Sequence, residues 1–348
     1  MLHVLVGAQC NNNCLFCMEA DRDRRAQRIA AQSVDDLRRM IDEYPRPNEV
    51  LFTSGEPTLD PELPTYIRWA KQRGFGVIGL VTNGRRLAYR GYARELLDAG
   101  VNRVTVSIHG HTAALHDGQT RAPGSFEQSL AGLREVVRLS RSYHVRVLTS
   151  TVVNRRTLPH LAEIHCLLAA RGTEVTVFNV MMGKGRGAAQ AQRLLVAYPD
   201  VVRAAHELCK ELPESRQRTI RIEDVPPCFS VQLPAAVRGE PEEYQQFEEA
   251  GSTGLAELGL DGDRTPAINS ALLGDPFPAA QRVDLAGDDP YYLTCRTFKD
   301  RVLRVKGEVC ESCASEAACT GVWEPYVRCH GWEGFVPVQK PRASGAAD

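Results

Sequence analysis

The sequence lacks an excess of charge of either sign. Its 348 residues include 42 Lys and Arg against 43 Asp and Glu, which gives a formal net charge of −1. Proteins that hold nucleic acid usually carry a basic surface, because neutralising phosphates is a large part of their affinity. The balance therefore argues against a large nucleic acid as partner.

Long apolar runs are also missing. No stretch approaches the roughly 18 apolar residues of a membrane-spanning helix, and residues 1–4 lack the basic and apolar regions of a signal peptide. We therefore expect a soluble, cytoplasmic protein with no membrane partner. Hydrophobic residues make up 43% of the chain, which is enough for a sizeable core.

Short apolar runs alternate with helical patterns through the first half of the chain. The strand-like runs cover residues 2–6, 49–53, 77–81, 103–108, 145–151 and 174–180, and a long helical pattern after Gly187 predicts the sixth helix. Six β-then-α units predict parallel strands with right-handed crossovers. They are too few for an eight-unit barrel of about 250 residues, so we expect an α/β partial (β/α)6 barrel or an open doubly wound sheet.

The composition changes in the second half. We expect a core domain over residues 1–210, a region for substrate and auxiliary groups over 211–335, and a tail over 336–348. Within the second region, residues 234–290 are acidic and then rich in Gly, Ala, Asp and Pro, which predicts an irregular insertion.

Eleven cysteines stand out, and in a cytoplasmic chain clustered cysteines indicate metal or redox chemistry rather than disulfides. Cys10, Cys14 and Cys17 lie on one short loop just after the first predicted strand. Structural zinc normally takes four ligands, whereas three cysteines on a four-iron cluster leave one iron free for another ligand. A zinc knuckle with a distant fourth ligand is the alternative.

A second motif, Thr-Ser-Gly-Glu-Pro-Thr-Leu over residues 53–59, follows the second predicted strand. The carboxyl ends of parallel strands share one edge, where ligands gather. Gly55 permits close backbone approach, Glu56 is a charged acceptor and Pro57 fixes the turn. These residues suit an ammonium group. A plain turn is the alternative, but it explains the motif poorly beside the three-cysteine loop.

The two motifs resemble those of the radical S-adenosylmethionine (radical SAM) superfamily. CX3CX2C is that family's cluster motif, and Ser-Gly-Glu-Pro is similar to its Gly-Gly-Glu-Pro turn, with Ser54 in place of the first glycine. The resemblance covers roughly residues 1–200. It implies that Cys10, Cys14 and Cys17 bind a [4Fe-4S] cluster whose free iron chelates SAM. Reduction would then cleave SAM to methionine and a 5′-deoxyadenosyl radical that abstracts a substrate hydrogen.

The resemblance also implies a set of SAM-binding residues at the strand ends. They are Phe16, Ser54, Gly55, Glu56, Thr82, Asn83, Ser107, His109 and Met181. Met182 could replace Met181, and either methionine could equally be a core residue. We expect His109 in the pocket and His116 on a loop, with a zinc site that includes His111 as the alternative. Lys184 and Arg186 suit an anion or, equally, a solvated turn.

A second cysteine group lies near the carboxyl terminus, at Cys310, Cys313 and Cys319. It is similar to the auxiliary-cluster regions, called SPASM or twitch domains, of many radical SAM enzymes. Trp323 stands where the full SPASM pattern would place the next cysteine, so we expect one auxiliary [4Fe-4S] cluster rather than two. The favoured fourth ligand is Cys228, with Cys329 and Cys295 as alternatives.

Some interpretations of the cysteines remain open beside that one. A zinc ribbon would use ligands of the same type as an auxiliary cluster. Cys166 and Cys209 lie in apolar helical patterns, which predicts small core residues.

Together these features predict a radical SAM enzyme that receives electrons from flavodoxin or ferredoxin. A peptide is the first expectation for its substrate, because peptide maturases of this family often carry an auxiliary module. A small metabolite or nucleoside comes second, and tRNA third. A non-catalytic iron–sulfur or zinc carrier is the alternative from a different class.

Overall fold

The computed structural model describes residues 2–7, 9–18, 34–44, 48–239 and 304–339. Most of the predicted insertion at 234–290 and of the tail at 336–348 lies outside these segments, as does Cys295.

Seven parallel strands form one sheet, and their order across the sheet is their order along the chain. They are β1 (Leu2–Leu5), β2 (Glu49–Thr53), β3 (Val77–Thr82), β4 (Arg103–Ser107), β5 (Arg146–Val153), β6 (Val175–Val180) and β7 (Ile220–Glu223). Each neighbouring pair is parallel, for example Val50 beside Ile78. Helices connect the strands, so the predicted partial barrel is confirmed, with one strand more than the six expected.

Helices of very different lengths fill the connections. They are α1 (Val34–Glu43), α2 (Leu63–Arg73), α3 (Tyr92–Ala99), α4 (Ala113–Thr120), α5 (Ser125–Tyr143), α6 (Leu161–Ala169), α7 (Arg186–Ala189), α8 (Ala191–Leu194), α9 (Tyr198–Glu211), α10 (Glu214–Gln217), α11 (Pro227–Ser230) and α12 (Glu324–His330). Short 3₁₀ turns cover Pro57–Leu59, Arg86–Ala88, Leu158–His160, Ala235–Val237 and Glu308–Cys310.

The long sixth helix expected after Gly187 is instead three helices, α7, α8 and α9. The backbone becomes extended at Leu195 and Ala197, and Pro199 lies in the first turn of α9. Proline has no amide hydrogen for a continuing helix but suits a first turn. The prediction of one long helix was therefore wrong at this proline.

Strand β7 was not predicted. It pairs with β6, with Thr176 beside Ile220 and Asn179 beside Glu223. The sheet therefore continues past residue 210, where the sequence suggested that the core domain ends. A four-residue strand that alternates apolar and charged residues gives only a weak signal between two helical patterns.

The carboxyl-terminal module is small. Strands β8 (Arg304–Val305) and β9 (Val322–Trp323) form an antiparallel pair that leads into α12. The module packs on the barrel through aromatic rings. Tyr198 of α9 stacks on Tyr326 of α12 with ring centroids 4.1 Å apart. The Tyr198 backbone N–H also donates to the Tyr326 hydroxyl at 2.9 Å.

None of the helices in the described segments is long and apolar enough to cross a membrane.

The loop after β3 packs very closely on α5. A Cβ atom placed on Gly132 would lie 1.9 Å from the carbonyl oxygen of Gly84, so only glycine fits there. Gly84 has a left-handed φ of 75°, which an L-residue adopts at a cost. This contact fixes the end of β3, where Thr82 and Asn83 lie.

We predict that Gly132→Ala destabilises the protein by about 1–3 kcal/mol, because the added methyl group must displace backbone. Chemical denaturation measures the change in the free energy of unfolding. The matched control is Gly118→Ala in α4, where the new methyl group meets only the guanidinium end of Arg156. That variant should be neutral or slightly stabilised, as expected for Gly→Ala in a helix. Equal effects in the two variants would contradict the packing argument.

Candidate functional site

The three-cysteine loop runs over residues 10–17 and rests on the carboxyl end of α4. The Asn13 amide donates to the carbonyl of Thr120 at 2.8 Å, and the Leu15 amide donates to the carbonyl of Gln119 at 2.9 Å. These two carbonyls belong to the last turn of the helix, which has no donors of its own left to bond them. The helix end therefore sets the path of the loop between Cys10 and Cys17.

The other side of the loop is bonded to the segment after β6. The Gly187 amide donates to the carbonyl of Cys17 at 3.0 Å, and the Arg186 guanidinium donates to the carbonyl of Cys14 at 2.8 Å. A Cβ atom on Gly187 would lie 3.1 Å from the carbonyl oxygen of Phe16. Elements far apart in sequence thus hold both ends of the loop.

The three thiols are half-buried and affect one another electrostatically. Burial raises the pKa of the Cys14 thiol, and the neighbouring thiols of Cys17 and Cys10 raise it further. The Asn12 amide donates to the Cys10 sulfur at 3.4 Å. These thiols resist ionisation when nothing is bound to them. They suit a positive inorganic centre, because a bound metal deprotonates its thiol ligands.

This donor set fits an iron–sulfur cluster, in which each thiolate binds a different iron. Within the described segments, no three His, Cys, Asp or Glu side chains are grouped so as to hold a metal ion.

Glu56 is the hydrogen-bonding centre of the neighbouring loops. It is 2% exposed. Its Oε1 accepts from the amide of Thr58 at 3.2 Å and from the hydroxyls of Thr58 and Thr82 at 2.6 and 2.5 Å. Its Oε2 accepts from the Asn83 amide at 2.6 Å. Burial raises the pKa of Glu56, and these four hydrogen bonds act against the rise. The carboxylate joins the ends of β2 and β3, and its expected contact with an ammonium group stays a prediction.

The turn before Glu56 lies against the start of the cysteine loop. Ser54 and Gly55 have left-handed φ values of 78° and 57°, and such a value at a serine indicates local strain. The Ser54 hydroxyl donates to the carbonyl of Gly7 at 3.2 Å. The Glu56 amide donates to the carbonyl of Gln9 at 2.8 Å. The two predicted motifs are therefore neighbours at one edge of the sheet.

His109 follows β4 and is buried beside Phe16, with ring centroids 4.6 Å apart in an edge-to-face arrangement. Its Nδ1 accepts from the Val152 amide at 3.2 Å, so the neutral ring carries its proton on Nε2. Burial holds the pKa of His109 well below its usual value, and His116 lowers it further. His109 is thus a neutral side chain beside the cysteine loop.

His116 lies in helix α4, so the predicted loop position was wrong. It is fully buried, and its Nδ1 accepts from the His109 amide at 3.0 Å. Ala113–Thr120 forms a helix because the Thr112 side chain caps it by accepting from the Leu115 amide. His111 contacts His160, with ring centroids 4.8 Å apart.

Several residues that line the carboxyl edge were missed in the sequence. Ser107, which was predicted, lies at the end of β4 beside Ser150 of β5, which was not. The Ser150 hydroxyl donates to Oδ1 of Asn179 at 2.8 Å, and Nδ2 of Asn179 lies 3.3 Å from carboxylate oxygens of both Glu223 and Asp224. This polar row crosses β5, β6 and β7. No motif marks it, because its members become neighbours only through strand register.

The methionines and the lysine after β6 differ in their surroundings. Met181 is 4% exposed and belongs to the hydrophobic core, while Met182 packs on its surface. Contact between Met181 and a SAM adenine stays a prediction. Lys184 is partly accessible to solvent. Burial and then the charge of Arg304 lower the pKa of Lys184 to about 8, while Cys17 acts in the opposite direction.

Four cysteines of the carboxyl-terminal half line one cavity. They are Cys228, Cys310, Cys313 and Cys319, and Lys306, Val322 and Phe335 complete much of its wall. Burial raises the pKa of Cys228 to about 12, and the thiols of Cys319, Cys313 and Cys310 also raise it. These are the four thiols expected to act together in an auxiliary site.

Backbone amides also point at this group of sulfurs. The Gly321 amide donates to the Cys319 sulfur and the Val338 amide to the Cys313 sulfur, both at 3.3 Å. Hydrogen bonds to cysteine sulfur are among the features that tune iron–sulfur clusters. The ligand types therefore suit an auxiliary iron–sulfur cluster, and a zinc ribbon would use ligands of the same type.

The remaining cysteines lie elsewhere. Cys329 is on α12 and does not line the cavity. Cys209 is partly buried and packs against the core, although it was predicted to lie within the core. Cys166 is exposed, so its prediction as a core residue was wrong. The buried face of α6 is formed by Leu161, Ile164, His165 and Leu168, and Cys166 lies on the opposite face.

Comparison with known proteins agrees with this geometry. The sequence profile of the Radical SAM superfamily matches residues 4–168, a range that includes the three-cysteine loop and β2 to β5. The likeness to the radical SAM superfamily therefore spans residues 4–168 of this chain.

Curated relatives of this chain act on different compounds. It is 28% identical over 195 residues to an AdoMet-dependent heme synthase of Oleidesulfovibrio alaskensis. The aligned region covers 55% of this chain and 48% of the relative. It is 34% identical over 165 residues to a probable GTP 3',8-cyclase of Methanopyrus kandleri. That aligned region covers 47% of this chain and 51% of the relative. The chain thus spans about half the length of these relatives.

Two solved structures share the fold. A structure of native anSMEcpe with bound AdoMet has a TM-score of 0.51 at 14% identity and covers 97% of this chain and 92% of its own. Streptococcus suis SuiB bound to precursor peptide SuiA has a TM-score of 0.51 at 13% identity, covering 97% and 74%.

We predict that the buried His116 makes the protein less stable in acid. Burial lowers the pKa of His116 from 6.5 to about 4 in the folded state. The unfolded chain therefore takes up the proton first, and stability is lost as the pH falls from about 6.5 towards 4. The loss is up to about 3 kcal/mol, at 1.36 kcal/mol per pH unit. Denaturation at a series of pH values measures it.

The variant His116→Asn should reduce this dependence by the share of His116, since an amide oxygen can accept from His109 without titrating. Burial also lowers the pKa of His109 and of His165, so part of the dependence stays. His144→Asn is the control, because His144 is exposed at the end of α5, where Asn tolerates the left-handed backbone. An unchanged slope in His116→Asn would show that another group causes the acid sensitivity.

Proposed function

We propose that the chain is an enzyme that cleaves SAM reductively and uses the resulting 5′-deoxyadenosyl radical to abstract a hydrogen atom from its substrate. A [4Fe-4S] cluster held by Cys10, Cys14 and Cys17 would supply the electron and an iron with a free coordination position. The observation that carries the proposal is the three-thiol loop at the carboxyl edge of the sheet, bonded in place against the Ser54–Gly55–Glu56 turn.

The chain's own residues would orient SAM. Ser54 and Gly55 present a strained backbone beside the loop, where polar backbone groups can meet the amino group. Glu56 holds Thr82 and Asn83 in position at the neighbouring strand end. Phe16 and His109 form an apolar wall whose one fixed polar atom is the Nε2–H donor of His109. Ser107 and Met181 are the further candidates for contacts to the nucleoside.

The second group of thiols would hold one auxiliary [4Fe-4S] cluster, with Cys228 as the fourth ligand to join Cys310, Cys313 and Cys319. Their shared cavity supports this set. Cys329 lies outside that cavity, which makes it the weaker candidate.

A peptide is the substrate that we propose first. In support, the structure of SuiB with its bound precursor peptide matches the fold of this chain, and the match covers 97% of the chain. A small metabolite or nucleoside is the second candidate, and it is favoured by relatives that are a heme synthase and a GTP 3',8-cyclase. Flavodoxin or ferredoxin would supply electrons, since the reaction requires a low-potential donor.

The test is the release of 5′-deoxyadenosine from SAM by anaerobically reconstituted protein reduced with dithionite. We predict that Cys14→Ala abolishes release, because the site then lacks one of its three ligands, while Cys313→Ala retains it at least in part. Cys166→Ala is the matched control, since its thiol is exposed and belongs to neither group of thiols. No release by the unsubstituted protein, with its iron and sulfide in place, would overturn the proposal.

Counting iron and sulfide tests the auxiliary site. Two clusters require about eight irons per chain. We predict that Cys228→Ala lowers the iron content below eight, because three thiols hold the auxiliary cluster less firmly than four, whereas Cys329→Ala leaves it near eight. The reverse pattern would make Cys329 the fourth ligand, and about four irons with one zinc in the unsubstituted protein would identify a zinc ribbon.

A further inference from the structure

The four thiols of the auxiliary cavity come from two different parts of the fold. Cys228 lies in α11, which follows strand β7 of the barrel sheet, whereas Cys310, Cys313 and Cys319 lie between β8 and β9 of the carboxyl-terminal module. All four line the same cavity. A metal centre shared by these thiols therefore requires that the turn carrying Cys228 and the module be held at a fixed separation.

The turn that carries Cys228 is fixed by its neighbour, Phe229. The Phe229 amide donates to the carbonyl of Pro226 at 2.9 Å, and its side chain is 1% exposed. Its ring contacts Tyr198 of α9, with centroids 5.3 Å apart, and Phe335, with centroids 4.9 Å apart and the rings nearly perpendicular at 81°. Phe335 follows α12, so the module contacts the Cys228 turn through this ring.

Phe335 also connects to the turn that carries Cys310. Its ring contacts Trp332 edge-to-face, with centroids 5.0 Å apart. Trp332 lies against Gly307 so closely that a Cβ atom there would be 2.6 Å from the indole ring. The Gly307 carbonyl accepts from the Cys310 amide at 2.9 Å. Ring packing thus runs from the cysteine turn of the barrel to the first cysteine turn of the module.

The ring of Phe335 is the middle of this path, and it also lines the cavity of the four thiols. Edge-to-face aromatic pairs have preferred distances and angles, which aliphatic contacts of the same volume lack. The two edge-to-face contacts of Phe335 therefore fix the relative position of the two cysteine turns, in addition to filling space between them.

We infer that Phe335 is a positioning residue of the auxiliary site. Packed between Phe229 and Trp332, its ring holds Cys228 where the thiol can join Cys310, Cys313 and Cys319 on one metal centre. This rests on the proposed auxiliary ligand set, but it depends neither on SAM cleavage nor on whether the centre is an iron–sulfur cluster or zinc.

The experiment is a Co²⁺ titration of the full-length chain in which Cys10, Cys14 and Cys17 are replaced by Ala, so that the first group of thiols does not compete. Co²⁺ alone is the probe, because each thiolate that binds it adds to a charge-transfer absorption. Phe335→Leu keeps an apolar side chain but removes the ring. We expect it to weaken Co²⁺ binding about 10- to 100-fold, the range usual for residues that orient metal ligands.

Two further variants separate positioning from a general loss of stability. Phe75→Leu is the matched control, since Phe75 is 5% exposed against 9% for Phe335 and stacks on Tyr44 of the barrel with centroids 6.0 Å apart. It should leave Co²⁺ binding unchanged. In a Cys228→Ala background, Phe335→Leu should have little further effect, because the ligand that the ring positions is already gone.

An unchanged Co²⁺ affinity in Phe335→Leu would overturn the inference. So would an equal loss of affinity with and without Cys228, which would show that the ring acts on the module thiols or on folding alone. A charge-transfer absorption that Cys228→Ala does not lower would remove Cys228 from the ligand set, and the proposed auxiliary site would fail together with this inference. The release of 5′-deoxyadenosine reports separately on the proposed reaction.

Discussion

The bonding of one eight-residue loop to distant parts of the chain is the constraint on which the site depends. Residues 10–17 contain no regular secondary structure, so their polar backbone groups need partners from elsewhere. The end of α4 accepts two of the loop's amides, and the segment after β6 bonds the carbonyls of Cys14 and Cys17. Three thiols can share one inorganic centre only if this path is kept, which explains why the site needs the whole sheet.

Buried polar groups hold the loops at the strand ends in position. Glu56 would be costly to bury without partners, but its oxygens accept four hydrogen bonds that join two loops. His109 and His116 are kept neutral by burial and bonded to backbone amides. The edge is therefore rigid before any ligand binds, and preorganisation of this kind keeps reactive groups in position and reduces the freedom lost on binding.

The sequence predicts most of the barrel because local signals agree there with tertiary structure. Buried parallel strands are continuous apolar runs, and glycines such as Gly74 mark the ends of helices. The cysteine loop and the Ser54–Glu56 turn are likewise contiguous motifs. Strand β7 could not be predicted, because it depends on pairing with β6. The helical position of His116 had a local signal, the Thr112 cap, that the sequence reading missed.

The tight packing between barrel and module has a consequence for how the two thiol groups act together. Gly183 touches Pro325, and the ring of Tyr198 stacks on Tyr326, so the segment after β6 and helix α12 are in direct contact. Close-packed interiors deform little and pass a displacement on to their neighbours. The segment between Gly183 and Gly187 therefore packs on the module at one end and bonds the three-cysteine loop, through Cys17, at the other.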